Sequence, residues 1–537
     1  MKKIEIFDST LRDGMQAEGI SFTLEDKIKI LKALDSLGIA YVEAGFPASN
    51  RKDREFIKAA EQVPLKHTKL CAFGSTRHKE TLVSEDKPLD MLLQSNVETV
   101  TVFGKCWDLH VHEVLQTTPR ENLDMIYDTV RFLKEHHRKV IFDAEHFFDG
   151  YLSDEKFALS AVKSAVDAGA DVICLCDTNG GRYPTEIYSG VKRVVELFPH
   201  VQVGIHCHND MGLAVINSMV AVDAGATQVQ GTLIGFGERC GNANLSTIIP
   251  NLQLKRGYEC IPPEKMGMLA KVARQIAGIA NISLSLSKPY VGYSAFAHKG
   301  GMHIAAVSKN TRTFEHIDPA VVGNSRRFLV SEVSGRAYVY EKIRAVAPDV
   351  KKDSAMAQKI VKKLKEMEYN GYSFEAAEES FELIIRRMLG EYDKFFELEY
   401  FKTIDEQSLL DGTNPCCAVI KVKVNDSFET TAAEGDGPVH ALDLALRKAL
   451  VRFYPCLNEM SLVDFKVRVL ESDATTAATV RVLIESTDGE RRWNTVGVSS
   501  DIIEASFLAL SDSIEYKLLQ EKHKTGSLQR EADNTDR

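Results

Sequence analysis

Residues 204–210, which read Gly204-Ile-His-Cys-His-Asn-Asp210, end an apolar run in the first half of the chain and carry two histidines. His206 and His208 are two residues apart, and residues with this spacing on a β-strand point to the same side. Two imidazoles presented side by side could bind one divalent metal ion. For an isolated pair, two histidines that only make hydrogen bonds are an equally good interpretation.

Two further stretches have the same organisation. Phe7–Gly14 (FDSTLRDG) and Gly235–Asn242 (GFGERCGN) also end apolar runs with charged and polar residues. If the three strand ends converge, one carboxylate, two imidazoles and one amide meet in a single place, and such a set suits Mn²⁺, Mg²⁺, Zn²⁺ or Fe²⁺. These groups belong to Asp13, His206, His208 and Asn242.

Apolar, β-rich runs alternate with amphipathic segments through the first half of the chain. The runs are Ile4–Asp8, Tyr41–Phe46, Leu70–Gly74, Val100–Gly104, Val140–Glu145, Val172–Asp177, Val203–His208 and Gln228–Ile234. Several are almost continuously apolar, as expected of parallel strands buried on both faces. The first intervening helix has a candidate N-cap at Thr23 and a terminating glycine at Gly38. An Asp-Ala-Gly-Ala sequence at 167–170 and again at 223–226 indicates an internal repeat.

This alternation predicts an α/β fold with a catalytic (β/α)₈ TIM barrel over residues 1–265. A doubly wound open sheet is the alternative, although no GxGxxG follows the first strand. Barrel enzymes carry their chemistry at the carboxyl ends of the strands, and here those ends are polar.

The remaining chain is predicted to form helical linker subdomains and a separate α+β domain. Residues 266–395 contain candidate helices at Leu269–Ile279 and Met356–Met367. The glycine- and histidine-rich segment 295–303 is suited to reaching over an active site, with a simple turn as the alternative. Residues 396–520 combine alternating runs with helices, which is typical of an α+β domain. The polar segment 521–537 is expected to be a disordered tail.

Composition excludes several classes of protein. The chain has 537 residues and a formal net charge of −10, which argues against nucleic acid or an anionic membrane as the main partner. No apolar run approaches the roughly 20 residues that span a bilayer, and the start has no signal-type apolar core. Ten cysteines without CxxC pairs indicate reduced thiols in a cytoplasmic protein.

The polar strand ends offer groups for carbonyl chemistry. A metal held by Asp13 and the histidines would polarise a carbonyl, and the adjacent Arg12 would stabilise its oxygen as an alkoxide. The alternative for Arg12 is a structural ion pair with Glu43 or Glu145. Those two carboxylates are otherwise candidates for acid–base work.

Several motifs together carry a family resemblance. They are FDSTLRDGMQ, YVEAGFPASN, FDAEHFFDG, CDTNGG, GIHCHNDMGLA, GFGERCGNANL, FGKCWDLHV, NLQLKRGY, PYVGYSAFAHKGGMH and FEHIDPAVVGN. The chain resembles the DRE-TIM metallolyases, and within them the Claisen-condensing acyl-CoA synthases that make isopropylmalate, homocitrate or citramalate, most of all the citramalate-forming group. The resemblance runs from the first residues to about residue 336. It resumes at EGDGPVHALDLALRKAL, which is similar to the regulatory dimerisation domain of isopropylmalate synthases.

The resemblance implies a reaction and a set of site residues. Acetyl-CoA, pyruvate and water would give (R)-citramalate and CoA, on a route to isoleucine through 2-oxobutanoate. The implied metal is Mn²⁺ or Mg²⁺, with Zn²⁺ possible, and the implied ligands are Asp13, His206, His208 and Asn242. The implied catalytic residues are Arg12, Glu43, Glu145 and His303. The implied substrate-binding residues are Arg12, Gln16, Asp143 and Thr178, and a capping or turn role is the alternative for Thr178.

The resemblance also implies a regulated homodimer. Isoleucine would be the feedback inhibitor, and Gly435 and Gly437 would let the backbone approach this small ligand. A hairpin or helix-entry turn is the alternative for these two glycines.

One departure and three alternatives accompany this interpretation. Relatives carry a tyrosine where this chain has Phe314. Phenylalanine cannot pass a proton, so this position lacks the phenol that a tyrosine relay needs. If the relay is simply missing, Phe314→Tyr should raise turnover. The alternatives are an isopropylmalate or homocitrate synthase with another 2-oxo acid, a hydroxymethylglutaryl-CoA-type lyase, and a non-enzymatic sensor. The GFGERCGNANL sequence after the last strand disfavours the lyase, and the intact set of candidate metal ligands disfavours the sensor.

Overall fold

A computed structural model describes residues 2–328, 343, 344, 346, 354–374, 376–390, 392, 394–405, 416–470, 478–489 and 491–535. The chain forms two compact units. The first comprises Met1–Ala297 and Glu315–Arg327, and the second comprises His298–Phe314 and Phe328–Arg537. Much of the predicted linker region, residues 329–342 and 347–353, lies outside the described residues.

The first unit is built on a closed barrel of parallel strands in the order β1 to β8. The strands are β1 Glu5–Asp8, β2 Tyr41–Glu43, β3 Lys69–Ser75, β4 Thr99–Lys105, β5 Lys139–Glu145, β6 Val172–Asp177, β7 Gln202–Cys207 and β8 Gln228–Gly231. Phe7 of β1 is in register with Tyr41 of β2 on one side and with Gln230 of β8 on the other. This pairing closes the sheet, so the predicted TIM barrel is confirmed and the open-sheet alternative is wrong.

Two of the strands end three residues earlier than the sequence predicted. β2 stops at Glu43 instead of Phe46, and β8 stops at Gly231 instead of Ile234. The backbone N–H of Phe46 donates to the Asp53 carboxylate at 2.9 Å rather than to a neighbouring strand. A side chain thus satisfies the backbone there, and the residues after the strand turn into loops at the mouth of the barrel.

Helices surround the barrel. They are α1 Leu24–Leu37, α2 Arg51–Ala60, α3 Lys87–Gln94, α4 Pro119–Glu135, α5 Phe147–Ser153, α6 Glu155–Asp167, α7 Pro184–Leu197, α8 Ala214–Asp223, α9 Leu245–Pro250 and α10 Leu269–Ile279. Short helical turns occur at Gly14–Gln16, His110–Val114, Asn251–Lys255, Pro263–Met268 and Pro319–Val322. Gly169 and Gly225 have φ angles of 96° and 120° in the repeated Asp-Ala-Gly-Ala sequence. This left-handed backbone favours glycine, and it turns α6 and α8 into the next strand.

Thr23 begins α1 with a capping box. Its hydroxyl accepts from the Asp26 N–H at 3.1 Å, and the Asp26 carboxylate accepts from the Thr23 N–H at 3.0 Å. Thr23→Ala should lower the free energy of unfolding by about 1 kcal/mol, because one helix N–H loses its partner. Urea unfolding measures this difference. Thr185→Ala, at an exposed position inside the first turn of α7, is the control that should cause no loss, and an equal loss in both variants would contradict the capping role.

The second unit contains two antiparallel three-stranded sheets, each packed against a helix. Its strands are β11 Glu397–Asp405, β12 Cys416–Val424, β13 Ser427–Gly435, β14 Ser461–Val469, β15 Val480–Thr487 and β16 Arg492–Ser499. Its helices are α11 Gly301–Lys309, α12 Ala355–Tyr369, α13 Glu378–Leu389, α14 Pro438–Val451 and α15 Ile502–Thr535, with short turns at Thr311–Thr313 and Pro455–Glu459. Two short strands, β9 Ala297–His298 and β10 Arg327–Phe328, lie where the chain passes between the units.

Two sequence-based expectations for this part of the chain differ from the structure. The helix α15 continues through Thr535, whereas residues 521–537 were expected to be a disordered tail. Glu, Lys, Gln, Arg and Leu dominate residues 521–531, and these residues readily extend a helix that packing has already nucleated. The segment 295–303 is not one loop, because β9 and the first turn of α11 occupy part of it.

Among the described residues, no helix is both long enough and apolar enough to cross a membrane.

Candidate metal and catalytic site

Three predicted metal ligands converge at the mouth of the barrel. Asp13 follows β1, His206 lies in β7, and His208 follows β7. Asp13 Oδ2 lies 3.9 Å from His206 Nε2 and 3.8 Å from His208 Nε2, and all three side chains are buried. One ligand atom from each residue falls within 4.8 Å of the other two. The predicted convergence of these two strand ends is therefore confirmed.

A glutamine orients the first imidazole. Gln230 Nε2 donates to Asp143 Oδ1 at 3.1 Å, so Gln230 Oε1 is free to accept from His206 Nδ1, also at 3.1 Å. With the proton on Nδ1, His206 presents the lone pair of Nε2 toward Asp13. This arrangement is the usual way in which a protein fixes the tautomer of a metal-binding histidine.

The protonation states of the two histidines and Asp13 also favour binding of a cation. Burial and the neighbouring His208 lower the pKa of His206 to about 4, so its imidazole is neutral at neutral pH. Burial likewise lowers the pKa of His208. Burial acts to raise the pKa of Asp13, but Arg12 and the two imidazoles outweigh it and hold this pKa well below its usual range. A negative carboxylate beside two neutral imidazoles is the form that binds a metal.

Asn242 completes the set. Its Nδ2 donates to Asp13 Oδ1 at 2.6 Å, while its Oδ1 is buried and accepts no hydrogen bond from the described residues. Gly237 allows this approach, because a Cβ there would lie 2.1 Å from Asn242 Nδ2 and 2.9 Å from Asp13 Oδ1. A carboxylate, two imidazoles and an unused amide oxygen fit a divalent cation.

Arg12 lies beside this set and is held from three directions. Its Nη1 donates to Asp13 Oδ2 at 2.9 Å, its Nε donates to Glu43 Oε2 at 2.7 Å, and its guanidinium lies 4.1 Å from the centre of the Phe73 ring. Glu43 is fully buried and also accepts a hydrogen bond from the Ser9 hydroxyl. The ion pair considered from the sequence therefore exists with Glu43, and it fixes the guanidinium next to the metal ligands.

Asp143 is a buried carboxyl group of β5. Burial and the nearby Glu43 carboxylate raise the pKa of Asp143 to about 8, so it is mostly protonated at neutral pH. Its contact with Gln230 connects it to His206. The substrate-binding role implied for Asp143 stays a prediction.

The other residues of the mouth have contacts of their own. Glu145 forms an ion pair with Lys105, which ends β4. The Thr178 hydroxyl accepts from the His146 N–H at 2.9 Å, which matches the turn role considered as its alternative. Gln16 is exposed at the end of the turn Gly14–Gln16. Substrate or catalytic roles for Glu145, Thr178 and Gln16 stay predictions.

His303 and Phe314 contact each other in the second unit. His303 is exposed in the first turn of α11, and its ring stacks on Phe314 with centroids 4.0 Å apart. Phe314 is 48% exposed. The aromatic ring at this position therefore packs against the imidazole, and the catalytic role of His303 stays a prediction.

Gly435 and Gly437 lie where β13 turns into α14. A Cβ on Gly435 would lie 2.5 Å from the backbone nitrogen of Ala441, whereas a Cβ on Gly437 would meet nothing within 4 Å. Gly435 thus allows the strand end to approach the helix backbone, which matches the helix-entry alternative. The effector-binding role of both glycines stays a prediction.

Sequence reasoning missed Gln230, Ser9 and Phe73 as members of the site. Glutamine, serine and phenylalanine at strand ends form no motif on their own. Gln230 could have been found from register alone, because it is the cross-strand partner of His206 in the parallel pair β7–β8.

Gln230→Leu should weaken binding of Mn²⁺ about 10- to 100-fold, because the hydrogen bond that orients His206 is lost. Equilibrium dialysis or Mn²⁺ electron paramagnetic resonance measures the affinity. Gln202→Leu is the matched control: this glutamine lies at the amino end of β7, where it contacts Glu5. Equal Mn²⁺ affinity in both variants would contradict the orienting role of Gln230.

Comparisons with known proteins agree along most of the chain. A family profile described as HMGL-like matches residues 3–276, one described as homocitrate synthase post-HMGL domain-like matches 290–371, and one described as LeuA allosteric (dimerisation) domain matches 375–518. The chain is 50% identical to the (R)-citramalate synthase of Aquifex aeolicus, over 97% of this chain and 99% of that protein. It is 48% identical to that of Geobacter sulfurreducens, over 98% and 100%. It is 30% identical to a 2-isopropylmalate synthase of Methanocaldococcus jannaschii, over 97% and 96%.

Proposed function

The chain belongs to the (R)-citramalate synthase family, and on that premise we propose that it condenses acetyl-CoA with pyruvate and water to give (R)-citramalate and CoA. The observation that carries the proposal is the convergence of Asp13, His206 and His208 beside Arg12 at the mouth of the barrel. The similarity to (R)-citramalate synthases over nearly the whole chain supports pyruvate over larger 2-oxo acids.

Asp13, His206, His208 and Asn242 would hold the divalent cation, with Mn²⁺ or Mg²⁺ expected and Zn²⁺ as the alternative. When bound there, the cation supplies Lewis-acid polarisation of the 2-oxo group. Arg12 is held against Asp13, so its guanidinium is in place to stabilise the negative charge that develops on the carbonyl oxygen of pyruvate. Glu43 keeps the guanidinium in this position through a buried ion pair.

A base must also remove a proton from the methyl group of the acetyl thioester. Glu145, Glu43 and His303 are the candidates. The contacts of Glu43 with Arg12 and Ser9 favour a positioning role for that carboxylate. Glu145 is about a quarter exposed and has one cationic partner, Lys105, which supports it as the group that meets substrate. Thr178 would hold the carboxylate of pyruvate.

We further propose that the last domain makes the protein a homodimer and binds isoleucine as a feedback inhibitor, in the cytoplasm. The match of residues 375–518 to the LeuA allosteric (dimerisation) domain supports this proposal. Calorimetric titration of the full chain with isoleucine and with valine measures binding of each amino acid, and the rate of CoA release in their presence measures inhibition. Saturable binding of isoleucine that inhibits turnover supports the proposal, and inhibition by neither amino acid would contradict it.

The activity is tested by release of free CoA thiol from acetyl-CoA with Mn²⁺ or Mg²⁺. Pyruvate, 2-oxoisovalerate and 2-oxoglutarate are compared as separate substrates under the same conditions. The largest kcat/KM should belong to pyruvate, and EDTA should abolish the release. A preference for 2-oxoisovalerate would make the protein an isopropylmalate synthase, and a preference for 2-oxoglutarate a homocitrate synthase. Either result would refute the proposed substrate but not the site.

A further inference from the structure

A second group of ligand-type side chains lies inside the barrel. Asp143, Cys174 and Cys176 each offer one ligand atom, and these atoms all lie within 4.8 Å of one another. We call these three residues the inner cluster. They are nearly inaccessible, with 4%, 0% and 5% of their surface exposed.

Strand register builds the inner cluster. Asp143 of β5 and Cys174 of β6 are cross-strand partners in a parallel pair. Cys176 lies two residues further along β6, so its side chain points to the same side as that of Cys174. The cluster therefore stands on two rigid strands and not on loops, which holds its ligand atoms in a fixed arrangement.

The chemistry of the inner cluster differs from that of the first site. Two thiols and a carboxylate favour a thiophilic ion such as Zn²⁺ or Cd²⁺, whereas Mn²⁺ and Mg²⁺ prefer oxygen ligands. Charges of both signs surround the inner cluster. Glu43 interacts electrostatically with Asp143, and Glu145 with Cys176, while Arg12 opposes a cation at both.

We propose that the inner cluster is a second cation site, separate from Asp13, His206 and His208, that takes a thiophilic divalent ion with Asp143, Cys174 and Cys176 as ligands. Binding displaces the protons of the two thiols and the carboxyl group to solvent. In the absence of the ion, the Cys176 thiol donates to the Cys174 carbonyl at 3.6 Å, and this hydrogen bond gives way to coordination.

Cadmium tests the proposal because a cadmium–thiolate bond absorbs in the ultraviolet, whereas cadmium bound to nitrogen and oxygen does not give this band. The full chain, stripped of metal, is titrated with Cd²⁺ in a reducing buffer that does not bind cadmium. In the wild type, the charge-transfer band should grow with added Cd²⁺ and saturate at one Cd²⁺ ion per chain. Cys174→Ser and Cys176→Ser should each lose most of it.

Two further variants serve as controls. Cys260→Ser removes a buried thiol outside the inner cluster and should keep the full band. His206→Ala removes a ligand of the first site and should also keep it. Circular dichroism confirms that each variant is folded. No band in the wild type after prolonged incubation, or equal bands in the wild type and the Cys174→Ser and Cys176→Ser variants, would overturn the proposal.

The inner cluster is also connected to the first site. Gln230 joins Asp143 to His206, so an ion that recruits the Asp143 carboxylate should loosen the hydrogen bond that orients His206. This consequence rests on the proposed function. CoA release is measured with excess Mn²⁺ and increasing Cd²⁺. The Cd²⁺ concentration that inhibits the wild type should be at least tenfold lower than the concentration that inhibits Cys176→Ser. Equal inhibition of the two proteins would contradict the connection. The spectroscopic titration needs no activity, so it separates failure of the cation site from failure of the proposed function.

Discussion

His206→Ala should lower kcat/KM for pyruvate by about 10³-fold and abolish stoichiometric binding of Mn²⁺. One of the imidazoles that face Asp13 Oδ2 is lost, and with it the Lewis-acid stabilisation of the carbonyl oxygen. A stabilisation of about 4 kcal/mol corresponds to this factor in rate. Steady-state kinetics and metal analysis of the same preparation measure the two effects together.

An exposed histidine provides the control for this variant. His200→Ala, in the turn before β7, should leave both the rate and the metal content unchanged. A His206→Ala protein that keeps its Mn²⁺ and more than a tenth of its activity would show that Asp13, His206 and His208 are not the catalytic metal site.

Arg12→Gln should lower both catalysis and stability. Removing the guanidinium takes away the group next to the developing alkoxide, and loss of one such donor costs about 10²- to 10³-fold in kcat. It also leaves Glu43 buried without its cation, which should reduce the free energy of unfolding by about 3–5 kcal/mol. Kinetics and urea unfolding measure the two losses separately.

A second substitution separates these effects. In Arg12→Gln/Glu43→Gln the buried charge is gone, so much of the stability should return while kcat stays low. Arg120→Gln, which breaks an exposed pair with Asp124, is the control and should change stability by less than about 1 kcal/mol. If the double variant recovers activity as well as stability, Arg12 acts only as a structural partner of Glu43.

The barrel could be predicted because its strands are long apolar runs with polar ends. His206 and His208 were predictable as a pair, and Asp13 joined them once three strand ends were expected to meet. Gln230 was missed because a buried glutamine has no sequence signature, and its role depends on being the cross-strand neighbour of His206. Cys174 and Cys176 were interpreted only as reduced thiols, because Asp143 comes beside Cys174 through strand register, which the sequence does not show.

The second unit was harder to predict. β13 and β16 were missed, because both carry many polar residues and β13 is largely exposed. Their pairing to β12 and β15 is a tertiary effect that a local pattern does not contain. His303 was placed in a loop because glycines precede it, yet these glycines begin α11. The contacts of Thr178 match the turn role, and those of Gly435 match the helix-entry turn, that were offered as alternatives to substrate and effector binding.

Product analysis with labelled substrate tests metal-dependent citramalate formation directly. The full chain is stripped of metal and incubated with [¹³C₂]acetyl-CoA and pyruvate, with and without Mn²⁺, and the products are identified by ¹³C nuclear magnetic resonance and chiral chromatography. We expect labelled (R)-citramalate in equal amount to the released CoA, and only when Mn²⁺ is present. Labelled acetate as the only product, or citramalate formed equally well without a divalent cation, would contradict it.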